Sequence, residues 1–402
     1  MLAIVAPGQG AQTPGFLAPW LDLPGVADRL AAWSDLAGCD LVRYGSTAGA
    51  EEIRDTAIAQ PLLVAAGVVA SGDVAGHAGL AGHAQAAAGH SVGELTAGVV
   101  AGVIGARDAL RLVAVRGRAM AAAAAAVPTG MTAVLGGDEA QVLAAIEAHG
   151  LTPANVNGAG QVVAAGTLEQ LAAFAADPPA GARLRPLEVA GAFHTSHMAP
   201  AVDALRRAAA DVSVASPAMT LLSDADGAAV SSGQDWLERI VRQVSAPVRW
   251  DACLRTLAGL GVTGIIELPP AGTLTGLARR ALPGVQVLAL KTPDQLPAAR
   301  ALAAEHGEHA HHPGADGHHP EWRLLVAPLA GTFRAGSAAA SAGAPGSPFA
   351  AGAELGVVEA RGGHQPVTPP YPGALIEWLV EDGDPVSAGQ PLARLQPTER
   401  AV

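Results

Sequence analysis

The sequence predicts an α/β protein over residues 1–298, followed by a separate all-β module over residues 321–398. Three observations carry that reading. Short β-branched runs alternate with alanine-rich stretches through the first 298 residues, as expected when strands are connected through helices. Residues 299–320 then lose all apolar periodicity and become rich in His, Gly and Pro, which marks a linker. Beyond it, short strand-like runs follow one another between Gly and Pro turns.

Residues 2–5 form a short apolar strand that runs into a glycine turn. Residues 58–70 and 106–126 suit helices, the second stopping at Val127-Pro128 because proline disfavours helix in the residue before it. Residues 131–135, 140–148, 160–165 and 168–176 read as β-α-β-α, a small subdomain inserted at about 128–188. Later strands are expected at 219–222, 264–267 and 285–290. The linker carries six of the 13 histidines; metal binding is the alternative to a passive spacer, but no cysteine or fixed ligand spacing supports it. In the module, strands are expected at 324–326, 355–359, 374–380 and 392–395, with a disordered-looking Ala/Ser/Gly/Pro stretch at 335–348.

Composition excludes several classes of function. Half of the 402 residues are hydrophobic, so the chain can bury a sizeable core and is not disordered throughout. Aromatic residues are only 3%, which leaves alanine, leucine and valine to fill that core. The net charge of −12 argues against a nucleic-acid binder. Cys39 and Cys253 supply neither a disulfide framework nor metal-ligand spacing. The start MLAIVAPGQG lacks the basic region of a signal peptide, and the apolar stretch 119–137 is broken by Pro128, Thr129 and Gly130. A cytoplasmic location without membrane contact is the resulting expectation. Of the 24 basic residues, 23 are arginine and one, Lys291, is lysine.

Chemistry concentrates at Gly89-His90-Ser91-Val92-Gly93, which follows an alanine-rich run and precedes a helical stretch from Glu94. G-x-S-x-G between strand and helix is a nucleophile elbow: small flanking residues permit a tight turn that projects the serine Oγ. The turn also aims the Val92 N–H, at a helix N-terminus, toward a developing oxyanion. The plainer reading is a glycine turn holding an ordinary serine.

The company of the motif decides between these. In order along the chain stand PGQGAQ, AQPLL, GHSVGE, VRGRAM, PANVNGAGQVVAAG, AFHTSHM, VRQVSAPVRW and ELPPAGTLTGLARR. Together they make residues 1–290 resemble the malonyl-CoA:acyl carrier protein transacylases and the acyltransferase domains of polyketide synthases. The resemblance implies an α/β-hydrolase-like large subdomain with an inserted ferredoxin-like small one. It implies Ser91 as nucleophile and His194 as general base, the latter oriented by the main-chain carbonyl of Gln243. The N–H groups of Val92 and Gln9 would form the oxyanion hole. Arg116 would pair with the malonyl carboxylate, a role that suits a planar guanidinium, and His90 could add a hydrogen bond. Asn157 and Gln60 would line the pocket. Phe193 before the histidine, with valine inside GHSVG, goes with malonyl over methylmalonyl in related domains, because a ring there crowds an α-methyl branch. Malonyl-CoA and a holo acyl carrier protein are the implied partners, with Arg279 and Arg280 as a basic docking pair and Lys291 nearby.

Plainer alternatives stand beside these roles. Arg116 could be a surface helix residue, as Arg118 is expected to be; His197 competes with His194 for the base; Arg279 and Arg280 could be an ordinary solvated helix end. Ala6, Ala11 and Pro269 depart from the family pattern and bear on pocket packing, since none of them replaces a catalytic group.

The last 80 residues resemble a biotin carboxyl carrier domain, a flattened β-barrel of the biotinyl/lipoyl type. Such domains present a lysine on a tight hairpin, and here the corresponding stretch reads Glu359-Ala360-Arg361-Gly362-Gly363, with Gly362 at the lysine position. No lysine exists anywhere in the module, so no covalent biotin or lipoate is expected, and no other bound cofactor or metal. Two other functions fit parts of the pattern: a serine thioesterase or hydrolase sharing Ser91 and His194, and a scaffold whose module recruits an acyl-CoA carboxylase component.

Overall fold

The computed structural model describes residues 1–72, 79–307, 323–336, 347–360, 363–380 and 382–397. The chain divides into two compact units, Met1–Ala310 and His311–Val402.

In the first unit the strands are, in chain order, β1 (Leu2–Ala6), β2 (Ala86–Gly89), β3 (Thr129–Gly136), β4 (Thr152–Gly158) and β5 (Gln161–Thr167). They continue as β6 (Ala182–Pro186), β7 (Thr220–Leu222), β8 (Val248–Arg249), β9 (Gly264–Glu267) and β10 (Gln286–Ala289). Five of these form a parallel sheet in the order β10-β9-β1-β2-β7. All five residues of β1 are buried, which is why LAIVA reads as an unbroken apolar run rather than an alternating one. Helix Gly93–Val100 packs on strands β1 and β2, and helices Thr56–Ser71 and Ala106–Ala126 pack against each other, where alanine-rich surfaces let them approach closely. Although aromatics are few, Trp20, Trp236 and Trp250 are fully buried and supply much of the core's bulk.

The inserted subdomain is a second sheet in the order β6-β3-β5-β4, extended by β8. Helices Glu139–Ala148 and Leu168–Ala176 connect its strands, giving the β-α-β-β-α-β succession of a ferredoxin-like unit. Its core joins Val134, Ile146, Val162 and Phe174. Two of its strands go beyond the expected β-α-β-α. β4 is hidden in TPANVNG, whose Pro and Asn are poor strand formers, and β6 lies in the charged segment ARLRP, largely exposed.

The linker reading needs correction at its start. Residues Leu296–His306 form a helix that buries Leu296, Ala299, Leu302 and Ala303 against the first unit's core. Apolar residues at i, i+3 and i+6 to i+7 hold that face, so the compositional shift at 299 masked a helical period. Residues 308–322, with five of the six linker histidines, lie outside the described residues.

The second unit contains β11 (Arg323–Val326), β12 (Gly331–Ala335), β13 (Pro348–Phe349), β14 (Gly356–Ala360), β15 (Gly363–Val367), β16 (Gly373–Trp378), β17 (Pro385–Val386) and β18 (Pro391–Pro397). They make two four-stranded antiparallel sheets, β11-β18-β16-β13 and β15-β14-β12-β17. Phe333, Val358, Leu375, Leu392 and Leu395 form a core of their own, with the Phe333 and Trp378 rings 5.1 Å apart. β14 and β15 pair as a hairpin whose connecting residues, 361 and 362, lie outside the described residues, as do 337–346.

Candidate active site

Ser91 and Gln9 follow the C-terminal ends of the adjacent central strands β2 and β1, where open parallel sheets place their ligands. Ser91 has φ of 54°, a left-handed conformation that costs a non-glycine residue on the order of 1 kcal/mol and projects Oγ away from the turn. The flanking glycines are a steric necessity. A Cβ on Gly89 would lie 2.1 Å from the Glu94 nitrogen, and one on Gly93 would lie 2.2 Å from the Ala6 carbonyl oxygen.

Ser91 Oγ is 2.7 Å from His194 Nε2. On the other side of the ring, Nδ1 lies 2.9 Å from the main-chain oxygen of Gln243. A carbonyl can only accept, so Nδ1 carries the proton and Nε2 is the acceptor facing the serine hydroxyl. His194 is buried and its pKa is pushed down from 6.5 to about 3, first by burial and then by the Arg116 charge, which keeps the imidazole neutral. His194, like Ser91, has positive φ, at 61°. His197 donates its N–H to Thr195 in the following turn and makes no contact with Ser91 among the described hydrogen bonds.

Arg116 is 1% exposed and projects from the middle of helix Ala106–Ala126. It donates to Gln60 Oε1 at 2.7 Å, to Gln243 Oε1 at 2.8 Å and to Ser91 Oγ at 3.2 Å. Among the described residues it has no ion-pair partner within 4.0 Å. Burial pulls its pKa down to about 10, so it remains a cation at neutral pH. A buried guanidinium whose direct partners are two amides and a hydroxyl has no anion in contact with it among the described residues and can take one there.

Neither the Val92 nor the Gln9 N–H has a main-chain or side-chain acceptor among the described hydrogen bonds. The Gln9 loop is held in place by its side chain, which donates to Thr56 Oγ1 at 3.2 Å and to the Arg54 carbonyl at 3.4 Å. His90 Nε2 donates to Asn157 Oδ1 at 2.9 Å, linking the elbow to β4, and removal from water lowers its pKa. Phe193 is buried immediately before His194. A cavity of about 420 Å³ opens between the two sheets, with Gln9 and His90 on one wall and Asn155, Asn157 and Gln161 on the other. Helix Thr273–Ala281 closes a third side through Thr273, Leu274 and Leu277. Arg279 and Arg280 lie apart from the serine, exposed in the last turn of that same helix.

Sequence reasoning passed over two carboxyl groups behind the nucleophile. Asp224 accepts the Ser91 N–H at 2.6 Å, and Glu94 accepts the Asp224 N–H at 2.6 Å. Gln243 Nε2 donates to both, at 2.6 Å to Glu94 and 2.9 Å to Asp224. Glu94 was visible as the end of GHSVGE, and Asp224 as the second residue beyond a strand end; neither position alone announces burial. Among the described residues no cluster of side chains could hold a metal ion, and no helix is long and apolar enough to cross a membrane.

Comparison with known proteins adds to this geometry. Residues 5–298 match the acyl transferase domain family. The malonyl CoA-acyl carrier protein transacylase of Mycobacterium bovis is 55% identical over 296 residues, covering 74% of this chain and 98% of its own length. That of Escherichia coli K12 is 36% identical over 307 residues, covering 75% and 99%. Among solved structures, the crystal structure of MCAT from Mycobacterium tuberculosis aligns with a TM-score of 0.71 at 53% identity, over 74% of this chain and 99% of that one. A malonyl-transacylase in complex with a type II polyketide synthase acyl-carrier protein aligns with a TM-score of 0.67 at 31% identity, over 74% and 98%.

Proposed function

Since the chain belongs to the acyl transferase family of malonyl-CoA:acyl carrier protein transacylases, we propose that its first unit carries malonyl groups from coenzyme A to an acyl carrier protein on Ser91. The protein is an acyltransferase of fatty-acid or polyketide synthesis. The observation that carries the site assignment is the triangle of Ser91 Oγ, His194 Nε2 and the Arg116 guanidinium, with hydroxyl contacts of 2.7 and 3.2 Å.

The chemistry follows from those groups. His194 Nε2 accepts the Ser91 proton as Oγ attacks the thioester carbonyl. The negative oxygen is stabilised by the Val92 and Gln9 N–H groups, which have no competing acceptor. Collapse expels the coenzyme A thiolate, which takes the proton from His194, and leaves malonyl-Ser91. The phosphopantetheine thiol of the carrier then gives its proton to His194 and attacks the ester. Ser91 leaves with that proton, and the exchange is ping-pong. The Gln243 carbonyl stabilises the imidazolium in both halves. Arg116 holds the malonyl carboxylate, with Gln60 and Gln243 fixing its plane. His90 and Asn157 shape the wall beside it, and Phe193 crowds any α-branch. The carrier is acidic in this reading, and Arg279 and Arg280, in the last turn of the helix that closes one side of the cavity, give it a basic landing.

For the second unit we keep the biotinyl/lipoyl-like reading. Two four-stranded antiparallel sheets, with β14 and β15 paired with each other, support it. Without a lysine there is no amine for an amide-linked cofactor, so its part is contact with another protein, a carboxylase component being one such partner.

Incubation with malonyl-CoA, with and without holo carrier protein, tests the main reading. Carrier-dependent transfer supports it, and free malonate as sole product would replace it with a hydrolase.

A further inference from the structure

The proposed mechanism leaves the Glu94–Asp224 pair unused, yet both carboxyls are completely buried directly behind the nucleophile, at no more than 1% exposure. They are held by donors: the N–H of Ser91, the N–H of Asp224 itself, Gln243 Nε2 and, on Glu94, the Ser223 side chain. The same Gln243 side chain accepts from Arg116 through Oε1, so one amide connects the guanidinium to both carboxyls. Arg116 is therefore the nearest cation to the pair without being in contact with it.

Charge counting then constrains the site. Two ionised carboxylates against one guanidinium would leave a buried surplus of negative charge, which repels the malonyl carboxylate that Arg116 is placed to receive. One proton on the pair makes the empty site neutral. Arrival of a substrate carboxylate at Arg116 adds a negative charge and takes up the field that had stabilised the ionised pair.

We propose that Glu94 and Asp224 form a proton-accepting carboxyl pair that takes up a proton from solvent when the malonyl carboxylate binds Arg116. The inference rests on the Arg116 role given above. One proton moves from the medium onto a carboxylate oxygen of the pair, and no other bond changes. Burial raises both groups, Asp224 to about 7 against the hydrogen bonds and the Arg116 charge that lower it, and Glu94, which the Asp224 charge also repels, well above its usual range; the pair is thereby within reach of a proton at neutral pH. The other titratable groups facing it are Cys253, whose thiol is pushed up by burial and by both carboxylates, and, beyond Arg116, His194 and His90. Cys253 stays protonated throughout and contributes no uptake. The histidines are rival acceptors, since a new anion raises their affinity for a proton as well.

Titration calorimetry in buffers of different ionisation enthalpy counts the protons. The full-length Ser91→Ala protein is used so that binding is not followed by acylation, and malonyl-CoA is compared with acetyl-CoA so that coenzyme A contributions cancel. At neutral pH malonyl-CoA should take up a fraction of a proton more than acetyl-CoA does. Adding Asp224→Asn or Glu94→Gln should cut that difference by more than half while malonyl-CoA still binds. Two variants guard against one misfolding, and the Ser91→Ala protein alone already decides the first point. Tight malonyl-CoA binding with no excess uptake would overturn the inference. Undiminished uptake in both double variants would also overturn it and assign the proton to a histidine. Equal, weak binding of the two thioesters would instead remove the Arg116 reading on which the inference stands.

Discussion

His194 and Gln243 are bound through the main chain, with Nδ1 2.9 Å from the Gln243 carbonyl oxygen, while the Gln243 side chain reaches Arg116 at 2.8 Å. One residue thus orients the base with its backbone and the anion clamp with its amide. The two functions can be separated by mutation, because a side-chain replacement spares the carbonyl.

Gln243→Ala should therefore retain reaction of Ser91 but lose affinity for the malonyl carboxylate. Loss of a hydrogen bond to a charged group costs about 1.5–3 kcal/mol, or roughly 10- to 150-fold in kcat/KM for malonyl-CoA. Acetyl transfer should fall less. Steady-state kinetics on both thioesters checks this, and equal losses would count against the clamp.

Arg116→Ala removes the clamp itself. Truncating one side of a buried, hydrogen-bonded charge pair costs about 2–5 kcal/mol, so malonyl transfer should fall roughly 30-fold to several thousand-fold. Arg116→Lys should recover little of it, since an ammonium cannot reproduce the fork that spans Gln60, Gln243 and a carboxylate.

Gly93→Ala tests the elbow. Its new Cβ would meet the Ala6 carbonyl at 2.2 Å, a backbone atom that cannot rotate away. The expected cost is about 1–3 kcal/mol of stability, read as a lower Tm, together with reduced acylation of Ser91.

The pH dependence of stability contains opposed contributions from the buried histidines and the buried carboxyls, of which His194 and Asp224 are representative. His194 falls from 6.5 when unfolded to about 3 when folded, so the unfolded chain binds more protons between those values. Its contribution is full above 6.5 and is lost as pH falls toward 3. Asp224 rises from 3.8 to about 7, so its contribution is full below 3.8 and is lost as pH rises toward 7. Asp224→Asn removes the second and, by taking away its charge, lessens the rise of Glu94, which acts in the same direction. Measured by denaturant unfolding, its stability relative to wild type should improve steadily as pH is raised between 3.8 and about 7. A difference independent of pH would contradict the raised carboxyl.

Much of the site was legible because its chemistry is local. Ser91 and its two glycines are specified by a five-residue turn, and the helix Ala106–Ala126 that carries Arg116 stands at the bounds its apolar run and Pro128 imply. Gln243 was reachable only by resemblance, since a main-chain carbonyl leaves no trace in residue type. The pairing of Glu94 with Asp224 joins residues 130 positions apart, and an acidic residue in a sequence reads as solvated until the fold shows it buried. Strand β4 was illegible for another reason. Its Asn155 and Asn157 line the cavity, and polar residues of low strand propensity there hide the strand's pattern. The helix Leu296–His306 was obscured by the His-rich tail in which it ends.

The central claim is that Ser91 carries the malonyl group, and intact-protein mass spectrometry with peptide mapping after brief exposure to malonyl-CoA tests it most directly. A single malonyl adduct is expected on the peptide containing Ser91, discharged by holo carrier protein and absent from Ser91→Ala, with no modification in the second unit. An adduct at another residue, or efficient transfer to the carrier by Ser91→Ala, would contradict it.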